Sequence, residues 1–410
     1  MEMMARCMTI RRVALVVPAL AEGGGVPSVA RFVKDAALSS QRYEIKVFSL
    51  CMSSNDASSL HLRQPATWLR GACSTTGAWD GHPFIHVGAN LGEMEFQRYR
   101  PRKVLTRLLA DCDVVQVVCG SPAWANTVVG LNKPVALQVA TRARVERRQR
   151  DANPRGLGGW WRKAMTEITD RLDDRALRRV DAIQVENPWM LEYARNLNVG
   201  RAVDIRYAPP GINTDVYQPL PHRDVTREPY ILCVGRLDDP RKNIGLLLSA
   251  YALLPDEVRN RVRLVLAGSS APPDAFWARA DSLGARDRVQ YVASPSREEL
   301  IRQYQAASVF ALPSDEEGLG MVILEAMSCA VPVVSTRSGG PDGIITDGED
   351  GFLVPLDDAA AMAGRLQTLL ENPSFNITMG RKARATIEAR YDERVAGAVF
   401  VDMWDRLTGR

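Results

Sequence analysis

The sequence predicts an α/β protein built on parallel sheets, and three observations carry that reading. Short apolar runs bounded by turn residues, such as 230–234 and 309–312, have the length and composition of strands buried on both faces. Segments with helical apolar spacing alternate with these runs, as they do where helices cross over between parallel strands. A proline-rich interval, with Pro209, Pro210, Pro219 and Pro221 around Gly211, separates two such series. A length of 410 residues suits two or three domains, each able to bury its own core.

Taken in order, a first strand at about 12–17 runs into Glu22-Gly23-Gly24-Gly25, and a helix begins near Pro27. Val29, Phe32, Val33, Ala36 and Ala37 give that helix its apolar face. A strand, a glycine turn and a helix N-terminus can receive an anion. The pattern here is GxGxxS, without the third glycine of the dinucleotide fingerprint, so a plain tight turn is an equal reading. Further strands are expected at 44–50, 113–119, 134–139 and 181–185. Residues 53–90 show no period and read as loops. From Arg142 to Lys163 eight basic residues face Glu146 and Asp151, and the stretch contains Gly158-Gly159-Trp160-Trp161. It reads as an exposed polar loop, or as a basic aromatic rim for an anionic acceptor or a membrane surface. The second series has strands at 230–234, 262–267, 289–292, 309–312 and around Val333, with a helix after Asn243. The tail from Asp357 is nearly continuous helix, interrupted near Asn372-Pro373.

Composition narrows the function. A net charge of +4 does not argue for nucleic acid, and no basic fold motif accompanies it. No apolar run approaches the ~18 residues of a membrane-spanning helix. Arg11, Arg12 and the run 13–17 imitate a secretory signal, but the run is short and ends at Pro18. Residues 1–9 read as a loose leader and the chain as cytoplasmic. Seven scattered cysteines without a CxxC pair fit reduced thiols. His82 and His86 lie four apart around Pro83 with no carboxylate at ligand spacing, so no metal site is expected.

The chemistry gathers in the second series. After the strand at 309–312 comes an acidic, glycine-containing loop (Asp315, Glu316, Glu317, Gly318, Gly320), then a helix at about 319–328 and a strand after Pro332. Such a loop sits where open α/β sheets bind ligands. Glu317 and Glu325 are eight steps apart, roughly 12 Å at most along a helix. Alone they could be surface acids, Glu317 favoured by a helix dipole. Arg236 and Lys242, with Arg241 alongside, flank the loop after the strand at 230–234 and suit a diphosphate. Cations for a departing diphosphate and carboxylates for hydroxyls together describe a nucleotide-sugar site.

Gly235-Arg236-x5-Lys242, Leu266-Ala267-Gly268, Leu312-Pro313-Ser314-x2-Glu317-Gly318-x-Gly320-x4-Glu325-Ala326-Met327, Pro332-Val333-Val334, Gly339-Gly340 and Asp350-Gly351-Phe352-Leu353-Val354 resemble the retaining GT-B glycosyltransferases of family 4. The resemblance spans the second half in order and is fainter in the first, at the glycine loop and Pro209-Pro210-Gly211-Ile212. It implies two Rossmann-like domains facing across a cleft. An acceptor-binding domain would occupy 1–215, a linker 216–228, a donor-binding domain 229–390, and a last helix at 391–410, with Trp404, would cross back. It implies that Arg236 and Lys242 neutralise the donor diphosphate and that Glu317 contacts sugar hydroxyls, assisted by Gly318, Leu319 and Gly320. Glu325 would hold the ribose, Val292 and Ala293 would line the base beside Gly235, and Gly23, Gly24 and Gly25, counted with the donor-binding residues, would approach the diphosphate or the acceptor from the other domain. The implied activity is metal-independent hexosyl transfer without a cofactor, from a nucleotide-sugar (UDP-sugar by family frequency) to a glycan, glycolipid or small-molecule hydroxyl. The family setting is cell-surface polysaccharide or glycolipid synthesis, compatible with peripheral contact at the inner membrane face. Ala140 stands where many members carry a histidine, and Gln138, Thr141 and Arg142 are the acceptor-side candidates that remain. A silent nucleotide-sugar-binding protein and a GT-B epimerase are the rival readings.

Overall fold

The computed structural model describes residues 10–18, 20, 25–53, 55–152, 154–221 and 228–409. Gly23, Gly24, the leader at 1–9 and most of the second half of the expected linker lie outside the described residues. The chain divides into two compact units, Met1–Pro210 with Ala396–Arg410, and Gly211–Val395.

In the first unit eight strands form one sheet: β1 (Arg11–Pro18), β2 (Tyr43–Leu50), β3 (Ser74–Trp79), β4 (His82–Val87), β5 (Val114–Cys119), β6 (Val135–Val139), β7 (Ala182–Val185) and β8 (Asp204–Tyr207). Their order is β3-β4-β2-β1-β5-β6-β7-β8, all parallel except β3, which runs antiparallel to β4. Val13 to Val17 are fully buried because helices cover both faces of the sheet. The helix Gly25–Ser39 lays Val29, Phe32, Val33 and Ala37 on it, with Pro27 in its first turn. The last helix, Glu393–Thr408, packs Phe400 and Trp404 on the same core. Trp404 Nε1 donates to Gln116 Oε1 at 2.8 Å inside that core.

Three parts of this unit differ from the expectation. Residues 53–90 are not all loop: β3 and β4 form a hairpin, and a short helix, Ala66–Arg70, precedes it. Arg206 and Tyr207, just before Pro209 and Pro210 where no strand is expected, pair with β7 as part of β8. The basic stretch from Arg142 is helical rather than looped, in Ala143–Glu146, Arg148–Ala152 and Gly156–Leu177. Its apolar residues at 157–161 mostly face solvent, so a search for a buried stripe passes over it.

The second unit holds a six-stranded parallel sheet of β9 (Tyr230–Val234), β10 (Arg263–Gly268), β11 (Val289–Ala293), β12 (Val309–Leu312), β13 (Val333–Thr336) and β14 (Phe352–Val354). The order β11-β10-β9-β12-β13-β14, counted from β9 as the first strand, is the 3-2-1-4-5-6 order of a Rossmann sheet. The chain reverses direction of travel between β9 and β12, and the crevice outside their carboxyl ends is where such sheets receive ligands. At Gly268, the end of β10, an added Cβ would lie 1.9 Å from Gly235 O, so only glycine lets the loop after β9 pass. The stretch from Gly211 is anchored in this unit: Ser328 Oγ and Arg384 Nη1 both donate to Tyr217 O. The tail forms the helices Ala359–Glu371 and Pro373–Arg390, broken at Asn372 as the sequence indicates.

Candidate functional site

Two loops meet at the switch point of the second sheet. The loop after β9 carries Gly235, Arg236 and a short 3-10 turn, Pro240–Lys242, capped by Asp239, whose carboxylate accepts from Arg241 N. Asn243 adopts a left-handed conformation (φ 41°) and caps the next helix, Ile244–Ala252, accepting from Leu246 N. Its Nδ2 donates to Asp315 Oδ1 at 2.7 Å, which ties this loop to the one after β12. The turn thereby aims Lys242 inward, where Nζ meets Glu317 Oε1 at 2.7 Å. Ser314 Oγ, fully buried, donates to the same carboxylate oxygen at 2.7 Å. Glu317 is itself nearly buried, and its backbone bridges to Ser338 O and Gly340 N. Lysine and glutamate from separate loops are thus held rigidly at one point of the crevice.

Arg236 stands at the rim with 61% of its side chain exposed, paired with Asp239 at 3.0 Å. An exposed arginine on a short loop can turn toward an incoming anion at little cost, whereas Lys242 is already in place. Gly318, Leu319 and Gly320 lead into the helix Met321–Ser328, which starts two residues later than its pattern indicates because Gly320 (φ 89°) takes the N-cap position. The side chain of Leu319 is buried in the core, so only its backbone can face a ligand. Lys242 and the positive end of this helix together favour a bound anion.

Glu325 sits one turn into that helix and does not face open solvent. Tyr304 Oη donates to its Oε2 at 2.6 Å and Tyr217 Oη to its Oε1 at 3.2 Å. Burial raises its carboxyl above the usual glutamate range, and the two tyrosine hydroxyls oppose that shift. The tyrosines come from elements far apart in sequence, so nothing in the local pattern announces them. At the edge strand β11, Val292 packs on the core and Ala293 is exposed, with Ser294 N bonded to Gly268 O at 2.8 Å.

In the first unit, Gly25 is the first residue of its helix, with open space around the position of a Cβ. The acceptor-side candidates are more enclosed than a binding loop would be. Gln138 is fully buried, and its Nε2 donates to Glu186 Oε1 at 3.2 Å and to Ala208 O at 3.1 Å. Glu186 is held in the same interior, where burial pushes its carboxyl up to about 7. Thr141 is buried, its N–H bonded to Gly120 O. Arg142 bridges Asp170 at 3.0 Å and Asp174 at 2.8 Å and stacks 3.9 Å from the Tyr193 ring. The basic stretch suggested an exposed cation there; the structure makes Arg142 an internal tie. Asp173 has a similar task, accepting from Ser121 Oγ, Ala123 N and Ala143 N. That one carboxyl pins the segments after β5 and β6.

Sequence reasoning also missed a polar cluster at the carboxyl ends of β2 and β4. His86 Nε2 lies 2.6 Å from Asp56 Oδ2, its Nδ1 3.3 Å from Ser49 Oγ, and Leu20 N reaches the same hydroxyl. Ser49 and His86 are register partners in the sheet, a relation that only strand pairing reveals.

Residues 221–386, within the second unit, match the family described as Glycosyl transferases group 1. The matched domain makes up less than half of the chain. Among curated relatives of this domain, a GDP-mannose-dependent alpha-(1-6)-phosphatidylinositol monomannoside mannosyltransferase of Mycolicibacterium smegmatis is 33% identical over 229 residues, 52% of this chain and 58% of that protein. A D-inositol 3-phosphate glycosyltransferase of Xylanimonas cellulosilytica is 34% identical over 222 residues, 50% of this chain and 52% of that protein. The chain thus spans about half the length of the curated relatives it matches. In structure, sucrose-phosphate synthase from Thermosynechococcus elongatus matches with a TM-score of 0.75 at 21% identity, covering 97% of this chain and 99% of that one. Anabaena HepE in complex with UDP-glucose matches with a TM-score of 0.67 at 14% identity, covering 96% and 99%. At such identities the likeness speaks for the fold alone, and that fold is GT-B, with two Rossmann-like units in succession.

Proposed function

We propose that this protein is a retaining GT-B glycosyltransferase of family 4 that moves a hexose from a nucleoside-diphosphate donor to an acceptor hydroxyl. The observation that carries the reading is the Lys242–Glu317 contact across the switch point of the second sheet, with Arg236 at its rim. In this reading Lys242, Arg236 and the N-terminus of the helix Met321–Ser328 stabilise the diphosphate as charge develops on it. Glu317, oriented by Lys242 and Ser314, grips hydroxyls of the sugar. Glu325 receives the ribose with Tyr304 and Tyr217 fixing its rotamer, Val292 and Ala293 flank the base beside Gly235, and Gly23, Gly24 and Gly25 are further donor-binding candidates. In a front-face retaining transfer the leaving phosphate takes the acceptor proton, so stabilising that phosphate is the main electrostatic task.

UDP-sugar is the donor favoured by family frequency, and a relative named for GDP-mannose dependence makes GDP-mannose its direct competitor. The proposed acceptor is a glycolipid or cell-surface polysaccharide, in keeping with a relative named for a phosphatidylinositol mannoside. A small-molecule acceptor is the second choice, favoured by the inositol phosphate in another relative's name. The proposed location is the cytoplasm, at the inner face of the membrane; among the described residues no helix is long and apolar enough to cross one. Thermal-shift screening with UDP-, GDP-, ADP- and dTDP-sugars, followed by transfer assays with the stabilising donor, tests the reading. Donor-dependent stabilisation and a product with retained anomeric configuration are expected. Isomerised sugar without an acceptor, or binding with no nucleotide release under any acceptor, would overturn it.

A further inference from the structure

The first turns of the helix Gly156–Leu177 expose their largest apolar residues. Its buried face is mixed, with Thr166, Thr169, Asp170 and Asp173 beside Met165, Ala176 and Leu177. Its solvent side carries Leu157, Trp160, Trp161, Ala164 and Ile168, which recur at steps of one and two helical turns. The polar side is inward for a local reason: Asp173 and Asp170 anchor the segments that begin at Ser121 and Arg142. Nothing within the unit accounts for the other side. Leu157 is 91% exposed, Trp160 61% and Trp161 62%, a concentration of large apolar side chains that a surface normally avoids.

The charge around this stripe identifies what it meets. Arg155, Arg162 and Lys163 are exposed, and residues 154–166 contain no acid at all. Lys163 Nζ lies 5.6 Å from the Trp160 ring, so cation and aromatic share one face. Tryptophans in an apolar stripe flanked by exposed cations fit the boundary of a bilayer, where indole rings rest at headgroup depth and cations meet anionic lipid.

We propose that the first turns of this helix dock the N-terminal unit on an anionic phospholipid surface, with Leu157, Trp160 and Trp161 entering the headgroup boundary and Arg155, Arg162 and Lys163 against the lipid phosphates. The proposal deepens the membrane side of the functional reading but stands on separate residues. Vesicle binding needs neither donor nor acceptor, so a chain that transfers no sugar would still bind.

The test is flotation of the full chain with phosphatidylcholine vesicles containing phosphatidylglycerol, beside phosphatidylcholine alone, across a salt series. Binding to the anionic vesicles that weakens with salt is expected, with little binding to the neutral ones. The Leu157→Ala/Trp160→Ala/Trp161→Ala variant should lose affinity about tenfold or more, since three apolar anchors are removed. Arg155→Glu/Lys163→Glu, at exposed positions that leave the packing untouched, supplies a second variant with the same expected loss. Failure of the wild type to float with anionic vesicles, or full binding by both variants, would overturn the proposal. So would a wild-type dimer in solution that the apolar variant converts to monomer, since the stripe would then be a protein interface.

Discussion

Removing one partner of the Lys242–Glu317 pair separates a structural tie from a working site. The two groups meet at 2.7 Å with side chains 20% and 10% exposed, so each is largely withdrawn from water. At an effective dielectric constant of ~20 their attraction is about 6 kcal/mol, most of it offset by desolvation. Lys242→Met leaves the Glu317 carboxylate with Ser314 but no cation, and Glu317→Gln leaves Lys242 uncompensated. Each single variant should lose about 3 kcal/mol, the usual penalty for a stranded, mostly buried charge. In a unit of this size that lowers Tm by roughly 10 °C. The Lys242→Met/Glu317→Gln double variant removes both charges and should lose clearly less than the sum of the singles, with a coupling of about 1–3 kcal/mol. Thermal unfolding of the four proteins measures the cycle, and transfer assays accompany it. Activity should be absent from all three variants, including the double one whose stability recovers. A double variant that is both stable and fully active would refute the reasoning, because the pair would then be a pin and nothing more.

Three further outcomes follow from the geometry. Burial raises Glu186 from 4.5 to about 7, so between those values the folded state holds a proton that the unfolded state has lost. Stability should therefore fall by about 3 kcal/mol as pH rises from near 4.5 to above 7, and Glu186→Gln should remove that part of the slope in urea titrations. Asp173, also pushed up to about 7 by burial, adds a slope of the same sign that the variant retains. Asp173→Ala strands Ser121 Oγ and the N–H groups of Ala123 and Ala143, and unfolding should show a loss of about 3 kcal/mol or more. Gly268→Ala sets a methyl 1.9 Å from Gly235 O and must displace the loop that carries Arg236 and Lys242. Donor affinity should drop at least about tenfold, more than any effect of the same change at Gly364, where a Cβ meets nothing.

What the sequence reveals depends on whether the cause of a structure is local. The central strands of both sheets are short apolar runs buried on two faces, and their positions are legible to within a residue or two, as at β9 and β12. The β3–β4 hairpin was legible too but is easily missed, because its strands are mostly exposed and lack alternation. Its signal is Asp80-Gly81, where both residues have positive φ (52° and 71°), as a two-residue hairpin turn requires. The start of the helix Gly156–Leu177 hides for the opposite reason, since Leu157, Trp160 and Trp161 there lie on a face that is not buried. In the candidate site, Arg236, Lys242, Glu317 and Glu325 stand out because residue type and spacing already suggest a diphosphate beside hydroxyls. Their actual partners do not. Tyr217 and Tyr304 on Glu325, Glu186 on Gln138, and Asp56 with Ser49 on His86 are joined by tertiary pairing across at least 20 residues, and no local pattern encodes them.

Calorimetric titration would show whether the crevice between β9 and β12 binds the diphosphate of a nucleotide-sugar. UDP-glucose and GDP-mannose would each be titrated into the wild type, Arg236→Ala and Lys242→Met. One donor should bind the wild type, and both variants should lose about tenfold or more in affinity, the worth of a charge-assisted contact to phosphate. Equal donor affinity in all three proteins would contradict such a site.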